Sequence, residues 1–230
     1  MTKNTFIPPS VSKSRVNKAG KSLRFGTETS EDLEAIESWR ASHAYVLNTF
    51  QMTLRRKVKE QAIVVAQRLK RRNTIFGKAR REAKLDLARM HDVAGCRLIF
   101  SDVQHLSEFR KNFHSSRFQH HLRNDVGSYD YIKNPKSSGY RGIHDVYEHR
   151  VNSPAGSRWN GLLVEIQYRT EVQHAWATSV EIAGIITENQ PKFDEGDERY
   201  KPFFRLTSEI LSKQASLALR TDGNIGLLLT

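Results

Sequence analysis

A chain of 230 residues is long enough to bury a proper core, and 27% charged against 38% hydrophobic residues describe a large, highly charged surface. No apolar run approaches bilayer length and MTKNTFIPPSVSKSRVNKAG lacks the apolar stretch of a secretory signal, which excludes membrane-spanning classes and predicts a cytoplasmic protein. The net charge of +12, from 37 Lys and Arg against 25 Asp and Glu, attracts polyanions, so nucleotides or nucleic acid are the expected partners; the plain alternative is a generally solvated basic surface.

Residues 1–30, with Pro8, Pro9 and many Ser and Lys, read as an extended arm with no core of its own. Ser30 followed by Glu31 and Asp32 marks a helix start suited to the positive end of the helix dipole, and that helix is expected to reach about Asn48. Leu54, Val58, Ala62, Val65 and Leu69 recur at helical spacing and predict a second helix within 51–72. DVAGCRLIF predicts a strand, and VQHLSEFRKNF a helix buried through Leu106, Phe109 and Phe113. GYRGIHDVYEHRV and GLLVEIQYRT alternate as strands, and the turn formers of VNSPAGSRWN between them predict a hairpin. TEVQHAWATSVEIAGII and RYKPFFRLTSEILSKQASLALR predict closing helices, the second over about 200–221, joined by a polar loop through Asn189 and Gly196. The expected organisation is therefore an arm over 1–30 and a single domain over 31–230 with its core at 60–187, while the apolar GNIGLLLT predicts contact with something further.

Cys96, within VAGCRLIF, is expected to be a buried, inert thiol. His120 and His121 diverge if they lie on a strand and are expected at the surface rather than on a metal. Walker, Rossmann and CxxC signatures are missing. The ingredients of phosphoryl chemistry on ATP are nonetheless present: cations for the triphosphate, carboxylates for magnesium and a place for the acceptor. Arg68, Lys70, Lys78 and Arg81 recur through RLKRRNTIFGKARR, a pattern equally readable as a solvated basic face. Asp92 stands at the mouth of one strand, and Glu165 lies amid apolar residues of another. A carboxylate there must be solvated, paired or metal-bound, and an ion pair with Arg97 or Arg169 is the commoner explanation. In YDYIKNPKSSGYRGIH, Lys133, Lys136 and Arg141 surround a turn carrying Tyr140, which either stacks on a base or is simply exposed.

Four blocks in order, R-x-K-x-x-x-T-I-x-x-K-x-x-R from Arg68 to Arg81, HDVAGCR from His91, YIKNPKSSGYRGIH from Tyr131 and VEIQYRT from Val164, resemble the synthetase domain of the RelA/SpoT family, makers of (p)ppGpp alarmones. The resemblance covers about Arg68 to Glu181. It implies an α/β (α+β), nucleotidyltransferase-like fold, a mixed β-sheet flanked by helices with N- and C-terminal helical extensions. It also implies a Mg2+-dependent pyrophosphokinase with ATP as co-substrate, in which a ribose hydroxyl attacks the β-phosphorus and AMP leaves. On that resemblance Arg68, Lys70, Thr74, Lys78, Arg81 and Arg97 bind ATP, with Arg97 against adenine. Asp92 and Glu165 are catalytic and hold magnesium, Glu165 also accepting the hydroxyl proton. Lys136, Tyr140, Arg141, His144, Gln167 and Arg169 hold the acceptor, with Tyr140 stacking on its base.

Thr74 keeps the hydroxyl of the serine more often seen there, whereas Val180 and Glu181 stand where small alarmone synthetases usually show a guanine-reading Glu-His pair. The His91-Asp92 dipeptide has no partner histidines, so no hydrolase region is expected. PSVSKSRVNKAG and the HAWAT helix are similar to the toxic, CapRel-like branch of small synthetases. That similarity implies the tRNA 3′ CCA end as acceptor, a translation-inhibiting toxin, and an antitoxin or C-terminal regulatory region as partner. GDP or GTP as acceptor is the alternative, and a catalytically inactive RNA-binding module the third.

Overall fold

In a computed structural model, which describes residues 6–187 and 200–225, the chain forms two compact units. The first comprises the described residues up to Leu98, with Ser116–Val126 and His144–Gln167; the second comprises Ile99–Ser115, Gly127–Ile143 and the described residues from Tyr168 onward. Residues on either side of position 31 share one core within the first unit.

In the first unit, helix α1 (Lys13–Phe25) starts at Ser12, whose side chain accepts from the Arg15 amide, and ends at Gly26 with a φ of 67°. The extended arm expected over 1–30 is therefore wrong over this stretch. Val16, Ala19 and Leu23, spaced three and four apart, are fully buried against Ile36, Trp39, Ile75, Ala79 and Leu87. Gly20 permits that approach, since a Cβ there would lie 2.9 Å from Leu87 Cβ. Helix α2 (Ser30–Lys57) is capped one residue earlier than expected, by Thr29, which forms a capping box with Asp32. It carries a buried stripe through Ile36, Trp39, His43, Val46, Phe50 and Leu54.

Helix α2 does not stop near Asn48 but runs on to Lys57, and the separate helix expected within 51–72 does not form. Val58 caps α2 through Leu54 O, Glu60 takes a φ of 70°, and the β-branched Ile63-Val64-Val65 lead into strand β1 (Val64–Leu69). Helix α3 (Arg72–Arg81) follows, then a 3-10 turn (Leu87–Arg89) and strand β2 (Ala94–Phe100), where Ala94, Cys96, Leu98 and Phe100 are buried on alternate positions. Strands β3 (His121–Leu122), β4 (Ile143–Glu148) and β5 (Leu163–Thr170) complete a mixed five-stranded sheet in the order β1-β2-β5-β4-β3. The expected hairpin is present: His149 N donates to Leu162 O and Gly161 N to His149 O. His120 is not a surface residue; it is half-buried, lies 4.6 Å from the Phe50 ring and accepts a hydrogen bond from Arg150 N.

The second unit contains helices α4 (Val103–His114), α5 (Glu171–Ile186) and α6 (Tyr200–Ile225). Leu106, Phe109 and Phe113 of α4 are buried as the periodicity predicts. Helix α5 begins at a capping box between Thr170 and Gln173, and packs Trp176, Ala177 and Val180 against Phe204 of α6. The expected loop through Asn189 and Gly196, and residues 226–230, lie outside the described residues. Among the described residues no helix is long and apolar enough to cross a membrane.

Candidate active site

In the first unit, Lys70 N donates to Val93 O at 2.8 Å, so the β1–β2 ladder carries the Lys70 side chain to Asp92 at the entrance of β2. Lys70 Nζ lies 2.5 Å from Asp92 Oδ2, and Lys78 Nζ of α3 lies 3.8 Å from Oδ1. Arg40 Nε donates to the Lys70 carbonyl at 2.6 Å, fixing the turn between β1 and α3. Thr74, Lys78 and Arg81 recur along one side of α3, while Ile75 and Ala79 are buried on the other. Arg68, Thr74 and Arg81 are exposed, whereas Lys70 is buried.

Glu165 lies inside β5, two residues from Gln167 and on the same strand face. Its Oε2 accepts from Gln167 Nε2 at 2.6 Å and its Oε1 pairs with His144 Nδ1 of β4 at 3.0 Å. Burial alone pushes this carboxyl up; the His144 hydrogen bond and charge, Gln167 and the nearby His91 outweigh it and hold it down at about 2. Arg97 donates from Nε and Nη2 to Gln167 Oε1, at 3.3 and 3.2 Å. His144 and Gln167, which the resemblance implied for acceptor binding, are both bonded to Glu165. Glu165 is paired, as a carboxylate amid apolar neighbours requires: its Oε1 meets His144, and Arg97 bonds the Gln167 amide that also bonds the glutamate.

In the second unit, Tyr140 follows Gly139, whose φ is 88° and whose added Cβ would meet Arg205 Cα at 2.9 Å. Its hydroxyl accepts from Arg169 Nε at 3.2 Å, and the Arg169 guanidinium carbon lies 4.9 Å from the ring centroid. Lys136 Nζ sits 4.5 Å from the Tyr131 ring and 5.4 Å from the Tyr140 ring. Arg141 donates to Ser208 Oγ and to Ile132 O, both at 3.2 Å, while Ser208 donates to Gly139 O at 2.5 Å. Tyr131 and Ser208 were missed by sequence reasoning. Tyr131 lies within the quoted block, where its contact with Lys136 was readable as a lysine near an aromatic; nothing in the sequence ties Ser208, sixty-odd residues downstream, to the loop.

Asp92 and Glu165 supply carboxylate oxygens, the donor type a hard divalent cation takes. Asp92 Oδ1 is buried and accepts no hydrogen bond, leaving an oxygen lone pair for such an ion. Magnesium needs only one or two carboxylates from a protein when phosphates and water complete its shell.

A family model described as a region found in RelA / SpoT proteins matches residues 67–185. GTP pyrophosphokinase YjbM of Bacillus subtilis is 34% identical over 122 residues, covering 50% of this chain and 52% of its own length. GTP pyrophosphokinase YwaC of the same organism is 35% identical over 92 residues, covering 39% of this chain and 40% of its own. The chain thus spans about half the length of the first of these curated relatives and less of the second. The crystal structure of small alarmone synthetase 1 from Bacillus subtilis bound to its product pppGpp superposes with a TM-score of 0.68 at 23% identity, over 80% of this chain and 94% of that one, a likeness of fold.

Proposed function

This chain belongs to the RelA/SpoT family, and from that membership we propose that it is an ATP-dependent pyrophosphokinase acting on the ribose 3′-hydroxyl of a guanine nucleotide. The carrying observation is Asp92, clasped between Lys70 and Lys78 with one buried oxygen left unbonded. Two lysines beside a carboxylate suit a triphosphate–cation pair, with ammonium groups for the phosphates and oxygens for the ion. Magnesium held by Asp92 and Glu165 would neutralise charge on the triphosphate. Glu165, held down at about 2, stays ionised at neutral pH and is a weak base, which favours holding the cation over removing the hydroxyl proton. Exposed Arg68 and Arg81 extend the phosphate grip, with Thr74 adding a hydroxyl, and Arg97 packs on adenine while Gln167 steadies it. In the second unit, Tyr140 stacks on the acceptor base; Arg169 orients the ring, Lys136 meets acceptor phosphate, and Arg141 fixes the loop on Ser208. The names of YjbM and YwaC support the guanine acceptor.

A second reading, a toxin acting on the tRNA 3′ end and opposed by an antitoxin or a C-terminal regulatory region, is favoured by Val180. It is packed against Trp176 and Phe204, where small synthetases usually carry a guanine-reading acid.

Incubation with Mg2+ and ATP labelled on its γ-phosphate, offering GDP, GTP and bulk tRNA separately, tests both. Label on GDP or GTP is the expected result, label on tRNA alone selects the second reading, and label on none overturns both.

A further inference from the structure

The charge surplus is not spread over the chain. Residues 13–25 carry five Lys and Arg and no acid; residues 68–89 carry nine, against Glu82 and Asp86 alone. Their combined net charge is +12, the whole surplus, and the rest of the chain holds 23 cations and 23 acids. The first unit packs these two segments together. Val16, Ala19 and Leu23 of α1 meet Ile75, Ala79 and Leu87, Arg24 donates to Ala79 O and Leu85 O, and Ala88 N donates to Asn17 Oδ1.

Within these two segments fourteen cations meet two acids; neighbouring acids such as Glu28 and Asp32 pair with some of them, and the remaining cations repel one another unless an anion is bound. Lys70 and Lys78 are engaged at Asp92, Arg15 at Asp32 and Arg80 at Glu28. Lys18 and Lys21 on α1 and Lys84 before the 3-10 turn are exposed and lie outside the phosphate grip assigned above. Phe25, 75% exposed at the end of α1, adds an aromatic face of the kind on which unpaired bases stack. A bilayer would need the apolar stripe of α1, and that stripe is buried in the core.

We propose that the face built from α1, α3 and the 3-10 turn is a docking surface for RNA, held through its phosphodiester backbone. It goes beyond the transfer reading, since it concerns binding and takes no part in the chemistry.

The test uses the full chain without ATP and bulk tRNA as probe, with affinity followed across a salt series. The triple variant Lys18→Ala, Lys21→Ala, Lys84→Ala is compared with Lys59→Ala, Lys111→Ala, Lys213→Ala, which removes three exposed lysines elsewhere. The first variant is expected to lose about tenfold or more in affinity near 0.1 M salt and to flatten the log–log salt slope by about two to three, the second to change neither appreciably. Equal loss in both variants, or no tRNA binding by the unsubstituted chain, overturns the proposal. So does binding to vesicles of anionic phospholipid that exceeds tRNA binding and disappears in the first variant. Transfer from labelled ATP to GDP, measured in parallel, is expected to persist in the first variant. Loss of that transfer in the unsubstituted chain would count against the pyrophosphokinase reading while leaving the RNA measurement intact.

Discussion

Asp92 meets two ammonium groups because the strand before it and the helix after that strand each deliver one. Replacing Asp92 by Asn keeps the shape but removes the charge that balances Lys70 and would hold the cation. We expect a loss of about a hundredfold or more in pyrophosphate transfer, several kcal/mol of barrier, read with labelled ATP while circular dichroism confirms the fold. Tyr140→Ala should raise the acceptor KM with little change in the KM for ATP. Tyr140→Phe, which loses only the hydroxyl bonded to Arg169, should stay close to the unsubstituted protein. A Phe variant as impaired as Ala would remove stacking from the argument. The residue types at these positions were legible in the sequence, but their partners were not. That Glu165 needs a partner follows from its apolar neighbours; that the partner is His144 depends on which residues β4 and β5 set side by side, a matter of strand pairing.

At the scale of elements, α4, α5 and the β4–β5 hairpin were readable because each carries its own periodicity and its own stop signals. The boundary between α2 and β1 was obscured because Leu54 and Val58 of one element and Val65 and Leu69 of the next happen to share a spacing of four. Helix α1 was hidden by its composition. Three buried side chains among five cations look like a polar arm until α3 and the 3-10 turn supply the opposing apolar surface. If α1 is core, Leu23→Ala should cost about 2–5 kcal/mol, and a loss of unfolding free energy in urea below about 0.5 kcal/mol would contradict its placement. Gly20→Ala should cost about 1–3 kcal/mol, although alanine is the better helix former, because its methyl meets Leu87 Cβ.

For the whole molecule, acid should be more damaging than salt. His43 is fully buried on α2, with Nδ1 on Trp39 O, and burial pushes it down to about 4 from an ordinary 6.5. The unfolded chain therefore binds this proton first. The associated stability is complete above pH 6.5 and is lost as pH falls towards 4, by about 3 kcal/mol for this group. Urea midpoints between pH 7 and 4 should show the fall, and His43→Gln should flatten it. Burial likewise pushes the Cys96 thiol up to about 12, so iodoacetamide at pH 8 should leave the native protein unlabelled and modify it in urea.

The burial of α1 against residues far along the chain also sets a clock. A ribosome finishes α1 at Phe25 but does not make Leu87 and Ala88 until some sixty residues later, roughly 3–12 s at ordinary elongation rates. Through that interval α2, made directly after it, can cover only part of the apolar stripe through Ile36 and Trp39, the side that meets Leu87 stays bare, and the basic face is assembled only when the later segment emerges.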